Sequence, residues 1–274
     1  EGLGIKDAVP AYLDPGLTDK DLLTGVSFAS AGTGYDNTTS RTVSAIPMWK
    51  EVEYFKEYKT KVEKVAGVEN AKKIIGEAVY IISVGSNDFI ENYYVNPYRR
   101  LQYNVSQFQN HLIQISGNLL QEIYSCGARR IAVAGLPPLG CLPLERTLRI
   151  LRRGDGCVNE LNQHAIQFNI KLQTLIASLK SKLAGLRIVY ADIYSQLIDM
   201  EQNPNKYDLI STRKACCGSG LVELGYACNK RTPFTCPDAS KYIFWDAVHP
   251  TQKTYQIVAQ DLLDHSIPKL LHRP

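Results

Sequence analysis

Three continuous apolar runs of strand length constrain this chain more than any other feature. They are Ala78 to Val84 (AVYIISV), Arg130 to Ala134 (RIAVA) and Arg187 to Ala191 (RIVYA). A strand covered on one face alternates polar and apolar residues; an unbroken apolar run suits a parallel strand buried on both faces. Gly25 to Ala29 is a weaker fourth candidate. Between the runs lie helical stripes with three-and-four spacing. They read Trp49, Val52, Phe55, Tyr58, Val62, Val65, then Val105, Phe108, Leu112, Ile115, Leu119, Ile123, then Leu161, Ala165, Phe168, Leu172, Leu175, Leu179. Alternating strands and helices without an internal repeat predict a three-layer α/β domain, in which ligands gather just beyond the carboxyl ends of the strands. The chain of 274 residues, 45% hydrophobic, is long enough for one large core, so a single domain over 1–274 is expected.

The richest chemistry lies in Phe244-Trp245-Asp246-Ala247-Val248-His249-Pro250. A carboxylate three residues before an imidazole can accept the Nδ1 proton, fix the tautomer and steady the imidazolium formed when Nε2 takes a nucleophile's proton. Pro250 disfavours a helical His249 and suits the first helical position, so the C-terminal helix is expected to begin right after the histidine. His111 and His164 fall inside helical stripes, and His265 and His272 lie near the C-terminus, so packing or surface roles are expected for all four.

Two further loops follow the logic of sites beyond strands. Gly85-Ser86-Asn87-Asp88 offers a sharp turn and an amide, Asn87, able to donate to an oxyanion; an ordinary turn and helix cap is the competing reading. The small residues of Gly25 to Gly34 let backbone N–H groups approach a substrate, but match neither phosphate-loop nor dinucleotide fingerprints, and no cofactor is expected. Tyr93, Tyr94 and Tyr98 serve equally as pocket lining or packing.

The net charge of +4 is mild, and the basic run Arg146, Arg149, Arg152, Arg153 lacks interleaved aromatics, so it reads as a solvated face and not a nucleic-acid surface. No apolar stretch approaches the roughly 18 residues of a membrane span. Of seven cysteines, Cys216, Cys217, Cys228 and Cys236 crowd one Gly/Pro-punctuated segment and read as a disulfide knot; adjacent Cys216-Cys217 is awkward for zinc, and no metal is expected. Cys141 and Cys157 bracket another loop and can bridge, leaving Cys126 as the free thiol. The sequons at Asn37 and Asn104 agree with a secreted glycoprotein.

The order of the blocks is more specific than any one block. Gly25-Val26-Ser27-Phe28-Ala29-Ser30-Ala31-Gly32, Gly85 to Asp88, Leu136-Pro137-Pro138-Leu139-Gly140-Cys141, Ala215-Cys216-Cys217-Gly218 and Asp246 to Pro250 together resemble the plant-type GDSL esterase/lipases of the SGNH hydrolase superfamily. The resemblance implies a flavodoxin-like α/β/α fold and secreted hydrolysis of small or lipid esters, with acyl transfer as a variation. It assigns His249 as base, Asp246 as its orienter, and Asn87 and Gly32 as oxyanion donors, Gly32 although Ser27 and Ala31 stand where the family shows Asn and Gly. The family's nucleophile block, Gly-Asp-Ser on its first strand, does not occur in the 274 residues, and no Gly-x-Ser-x-Gly elbow replaces it. The expectation is therefore a fragment that is inert as it stands and, lacking a central strand, poorly stable alone. The alternative is a catalytically dead extracellular binding or structural relative.

Overall fold

A computed structural model describes residues 2–153, 156–229 and 231–271. The three apolar runs form β1 (Val79–Ile82), β2 (Arg130–Ala134) and β3 (Arg187–Ala191), ordered β1-β2-β3 in one sheet. β1 and β2 pair in parallel with Val79 beside Arg130 and Ile82 beside Val133. Helices fill the intervals: α1 (Asp19–Thr24), α2 (Asn37–Thr42), α3 (Met48–Ala66), α4 (Val68–Glu77), α5 (Ser86–Phe89), α6 (Val105–Ser125), α7 (Pro143–Arg153), α8 (Asn159–Lys182), α9 (Tyr194–Gln202), α10 (Gln252–His265) and α11 (Pro268–Leu271). The protein is of the α/β class with a parallel sheet.

The chain divides into two compact units. The first comprises the described residues of 1–134, 171–190 and 266–274 and holds nearly all of the sheet. Val52, Phe55, Tyr58 and Val62 bury one face of α3, while Trp49 and Val65, the ends of the expected stripe, stay exposed. α6 opens on a capping box: Asn104 accepts from Gln107 N, and the Gln107 side chain accepts from Asn104 N, both at 3.0 Å. Its apolar face buries Phe108, Leu112, Leu120 and Ile123. Tyr93 and Tyr94 are buried beside Phe89 and Phe108, with Tyr93 stacked on Phe108 at 5.0 Å, so these tyrosines serve as packing.

Gly25 to Ala29 forms no strand. It makes one isolated bridge, Ala11 with Ser27, closed by Ser27 N on Pro10 O and Tyr12 N on Ser27 O, each 2.8 Å. Its anchor is a ring: Phe28 lies 5.8 Å from Phe55 and 5.6 Å from Tyr58. Aromatic packing holds this segment where a ladder was expected.

The second unit comprises the described residues of 135–170 and 191–265. Asn169 grips Leu136 at both ends, accepting its N–H at 2.7 Å and donating to its carbonyl at 2.9 Å. A Cβ on Gly140 would lie 2.1 Å from the Val158 carbonyl oxygen, so glycine there lets the Cys141–Cys157 bridge close. The other bridges are Cys216–Cys236 and Cys217–Cys228, with Cys126 free. Within the basic run, Arg146 does not belong to a solvated face. Arg146 is buried, donating to Cys141 O at 2.8 Å and to Glu201 Oε1 at 2.7 Å, and Arg149 pairs with Glu145. The side chains of Arg152 and Arg153, like all of His272, lie outside the described residues. α10 begins at Gln252, not at Pro250. Pro250 instead bridges Phe244 across a tight loop, and Thr251 caps the helix by accepting from Thr254 N at 3.3 Å. No described helix is long and apolar enough to cross a membrane.

Candidate active site

In the second unit the Phe244 to Pro250 loop folds back on itself. Trp245 N donates to His249 O at 2.8 Å, and Thr251 N to Ile243 O at 2.8 Å. This closure brings the imidazole over its carboxylate. His249 Nδ1 lies 2.8 Å from Asp246 Oδ2 and 3.0 Å from Oδ1. Three backbone N–H groups fix the same carboxylate: His249 at 2.7 Å and Val248 at 2.9 Å on Oδ1, and Gly225 at 3.1 Å on Oδ2.

Electrostatics follow from this geometry. Burial alone would raise the Asp246 pKa, but the His249 ring and the backbone donors outweigh it and hold the carboxyl below its ordinary range. The hydrogen bond from Asp246 raises His249 above an ordinary histidine, against a smaller opposing effect of burial. Asp246 is 2% exposed, whereas the His249 side chain is 58% exposed. With Nδ1 engaged, Nε2 is the nitrogen left to exchange a proton with a ligand. An open groove of about 690 Å³ runs along Trp245, Pro250, Tyr255 and Ala259, giving this loop an apolar flank.

In the first unit, Gly85 at φ +118 turns the chain from β1 into α5. That turn aims Asn87 at the preceding glycine-rich loop, where Nδ2 donates to Thr33 O at 3.0 Å. Gly32 sits next to Thr33 at φ +88, and a Cβ there would meet Val43 Cγ2 at 2.5 Å. The two expected oxyanion donors thus belong to adjoining loops.

Sequence reasoning overlooked two carboxylates that shape those loops. Asp88 is completely buried and accepts Tyr35 N at 2.8 Å, Asp36 N at 3.0 Å and Thr39 Oγ1 at 2.6 Å. Burial pushes its pKa up to about 7 despite those donors. Glu51 of α3 accepts Ser30 N at 3.1 Å, and burial likewise raises it to about 7. Gly34 makes room for the first of these, since a Cβ would stand 2.3 Å from Asp88 Oδ1. The available signal was the aspartate directly after Asn87, which reads equally as a helix cap.

Among the described residues, the remaining histidines are accounted for locally. His111 stacks on Tyr103 at 5.4 Å and lies 3.6 Å from Asp36, which Arg99 grips at 2.7 and 2.9 Å. Burial lowers His164. His265 faces Asp261 one turn back on α10.

The protein thus has a parallel α/β sheet and a carboxylate-backed imidazole, a pairing that serine hydrolases use for proton transfer. The family model for GDSL-like lipase/acylhydrolases matches residues 2–262, and the chain belongs to that family, with its SGNH-type fold. Among curated relatives, the GDSL esterase/lipase At4g26790 of Arabidopsis thaliana is 47% identical over 269 residues, 98% of this chain and 76% of the relative. At2g42990 from the same plant is 46% identical over 272 residues, 99% of this chain and 77% of the relative. The GDSL esterase/lipase APG, also of Arabidopsis, is 44% identical over 264 residues, 96% and 74% respectively.

Proposed function

We propose that this protein supplies the base, the orienting carboxylate and the oxyanion donors of a serine esterase acting on small or lipid esters. His249 takes the proton from the attacking hydroxyl at Nε2, and Asp246 fixes the tautomer and stabilises the imidazolium. Asn87 Nδ2 and Gly32 N donate to the oxygen that gains charge as the ester carbon becomes tetrahedral. The groove along Trp245 and Pro250 takes an apolar part of the ester. The observation that carries this reading is the Asp246 carboxylate, held by three backbone donors and 2.8 Å from Nδ1 of an imidazole whose other edge is open. The three disulfides support an oxidising, extracellular location, and the exposed Asn37 and Asn104 are the proposed glycosylation positions. We also propose that residues 1–274 act as one SGNH hydrolase domain.

The nucleophile is the serine of the family's Gly-Asp-Ser block, absent from the 274 residues, so these residues alone leave only the residual ~10³ to 10⁴ over water that binding and an oxyanion hole provide. A second reading is an extracellular binding protein of the same family that has lost catalysis. Joining the family's N-terminal strand and Gly-Asp-Ser block ahead of Glu1 separates them. Hydrolysis of a short-chain aryl ester, abolished by His249→Ala, supports the esterase; a folded product that stays inert supports the binding protein.

A further inference from the structure

Tyr226 and Phe234 are almost wholly solvent-exposed, at 104% and 89%. Both belong to one stapled segment. Adjacent Cys216 and Cys217 bridge Cys236 and Cys228, and each aromatic stands two residues before one of the latter pair. Short polar bonds stiffen the segment further: Thr232 Oγ1 donates to Ala227 O and Thr235 Oγ1 to Thr232 O, both at 2.8 Å. Phe234 has φ +63, a left-handed conformation unfavourable for an aromatic L residue. The stapled segment leaves both rings exposed, Phe234 at a conformational cost.

Charge distinguishes the same segment. Between Ser211 and Pro237 the sequence places Arg213, Lys214, Lys230 and Arg231 against a single carboxylate, Glu223. That carboxylate is engaged by Ser219 N and Ser219 Oγ, each at 2.8 Å, while Lys214 and Arg231 are exposed. The segment also connects directly to the dyad loop. Gly225 N donates to Asp246 Oδ2, Ala247 N to Glu223 O, and Cys217 N to Trp245 O.

We infer that this segment docks the protein on an anionic lipid surface, with Tyr226 and Phe234 entering the headgroup layer and Lys214 and Arg231 facing lipid phosphates and carboxylates. Two rings offer about 300–500 Å² of apolar surface. A stable protein partner needs nearer 800 Å² per side. Shallow insertion of aromatics flanked by cations is what an interface-seeking surface requires. Because Gly225 of the segment donates to Asp246, docking would set the dyad close to esters carried by that surface; this consequence, though not the docking itself, rests on the esterase reading.

Flotation of the disulfide-intact chain with vesicles tests the proposal, since bound protein rises and aggregate sinks. Phosphatidylcholine vesicles with a minor fraction of phosphatidylserine are expected to carry the chain upward. The double variant Tyr226→Ser/Phe234→Ser should lower that partition by about ten-fold or more. Leu101→Ser, at an exposed apolar residue of the other unit, should leave it unchanged. Circular dichroism verifies that each variant folds. Equal flotation of the double variant, equal binding to pure phosphatidylcholine, or no flotation at all overturns the proposal, as does a double variant that changes only self-association. The two readings fail separately: lost flotation with retained hydrolysis of a water-soluble ester, in the chain joined to Gly-Asp-Ser, removes docking alone. Retained flotation without hydrolysis removes the esterase alone.

Discussion

The buried carboxylate of Asp88 accepts the backbone N–H of Tyr35 at 2.8 Å, tying α5 to the loop that carries Gly32. Its pKa is raised to about 7, so the folded protein holds this proton more tightly than the unfolded chain does. The resulting stabilisation is complete below about pH 4 and is lost as pH rises through about 7. Asp88→Ala should flatten that part of the stability–pH curve, leaving the same-signed slope of Glu51, and cost about 2–4 kcal/mol by orphaning three donors. Urea unfolding on both sides of the window measures both effects; an unchanged slope refutes the assignment.

Gly34→Ala probes the same contact from the other side. The new Cβ would collide with the Asp88 carboxylate, which is fully buried and held in place by three hydrogen bonds. A loss of about 2–4 kcal/mol is expected. A thermal melt within error of the unsubstituted chain would contradict it.

For Asp246 and His249 the signs oppose. A depressed carboxyl contributes stability above its unfolded pKa of about 4, lost as pH falls through the folded value. A raised imidazole contributes below about 6.5, lost as pH rises through its folded value. The pair therefore supports the fold most fully between those limits. Asp246→Asn should return the His249 NMR titration toward the ordinary value, and in a chain completed with Gly-Asp-Ser should lower kcat by roughly 10⁴. An unmoved titration would show that Asp246 does not set the imidazole.

Arg146→Met leaves Glu201 without its guanidinium and Cys141 O without its donor. Removing one partner of a buried ion pair costs about 3–5 kcal/mol. Equilibrium denaturation of the Met variant checks the figure, and a change below about 1 kcal/mol would place the pair with weak surface bridges.

Among the described residues β1 is an edge strand of the sheet, and Ile81 at its centre is 67% exposed. An apolar edge recruits other strands. The chain alone should scatter light on mild warming, and Ile81→Lys should delay that onset. A sharp, reversible monomeric transition without scattering would defeat the expectation.

Much of the fold was legible because period and composition are local. Three apolar runs became the three strands, and the stripe of α8 buried Leu161, Phe168 and Leu172 as its spacing required. Gly25 to Ala29 misled because strand character is settled by pairing, and Phe28 found rings instead of a ladder. Pro250 misled because the bridge to Phe244 and the Thr251 cap claimed the residues that local preference assigned to the helix.

The sequence by itself determined the α/β class, the cysteine-rich segment and the candidates Asp246, His249 and Asn87, since each rests on residue type and spacing along the chain, while Gly32 followed from the resemblance to the GDSL esterase/lipases. Tertiary structure decided which cysteines pair, that Arg146 is buried, and that Asp88 and Glu51 gather the Ser30 to Asp36 loop. Burial and hydrogen bonding depend on residues distant in sequence; Asp88 and Tyr35 are 53 positions apart. No local pattern encodes the desolvation that shifts their protons.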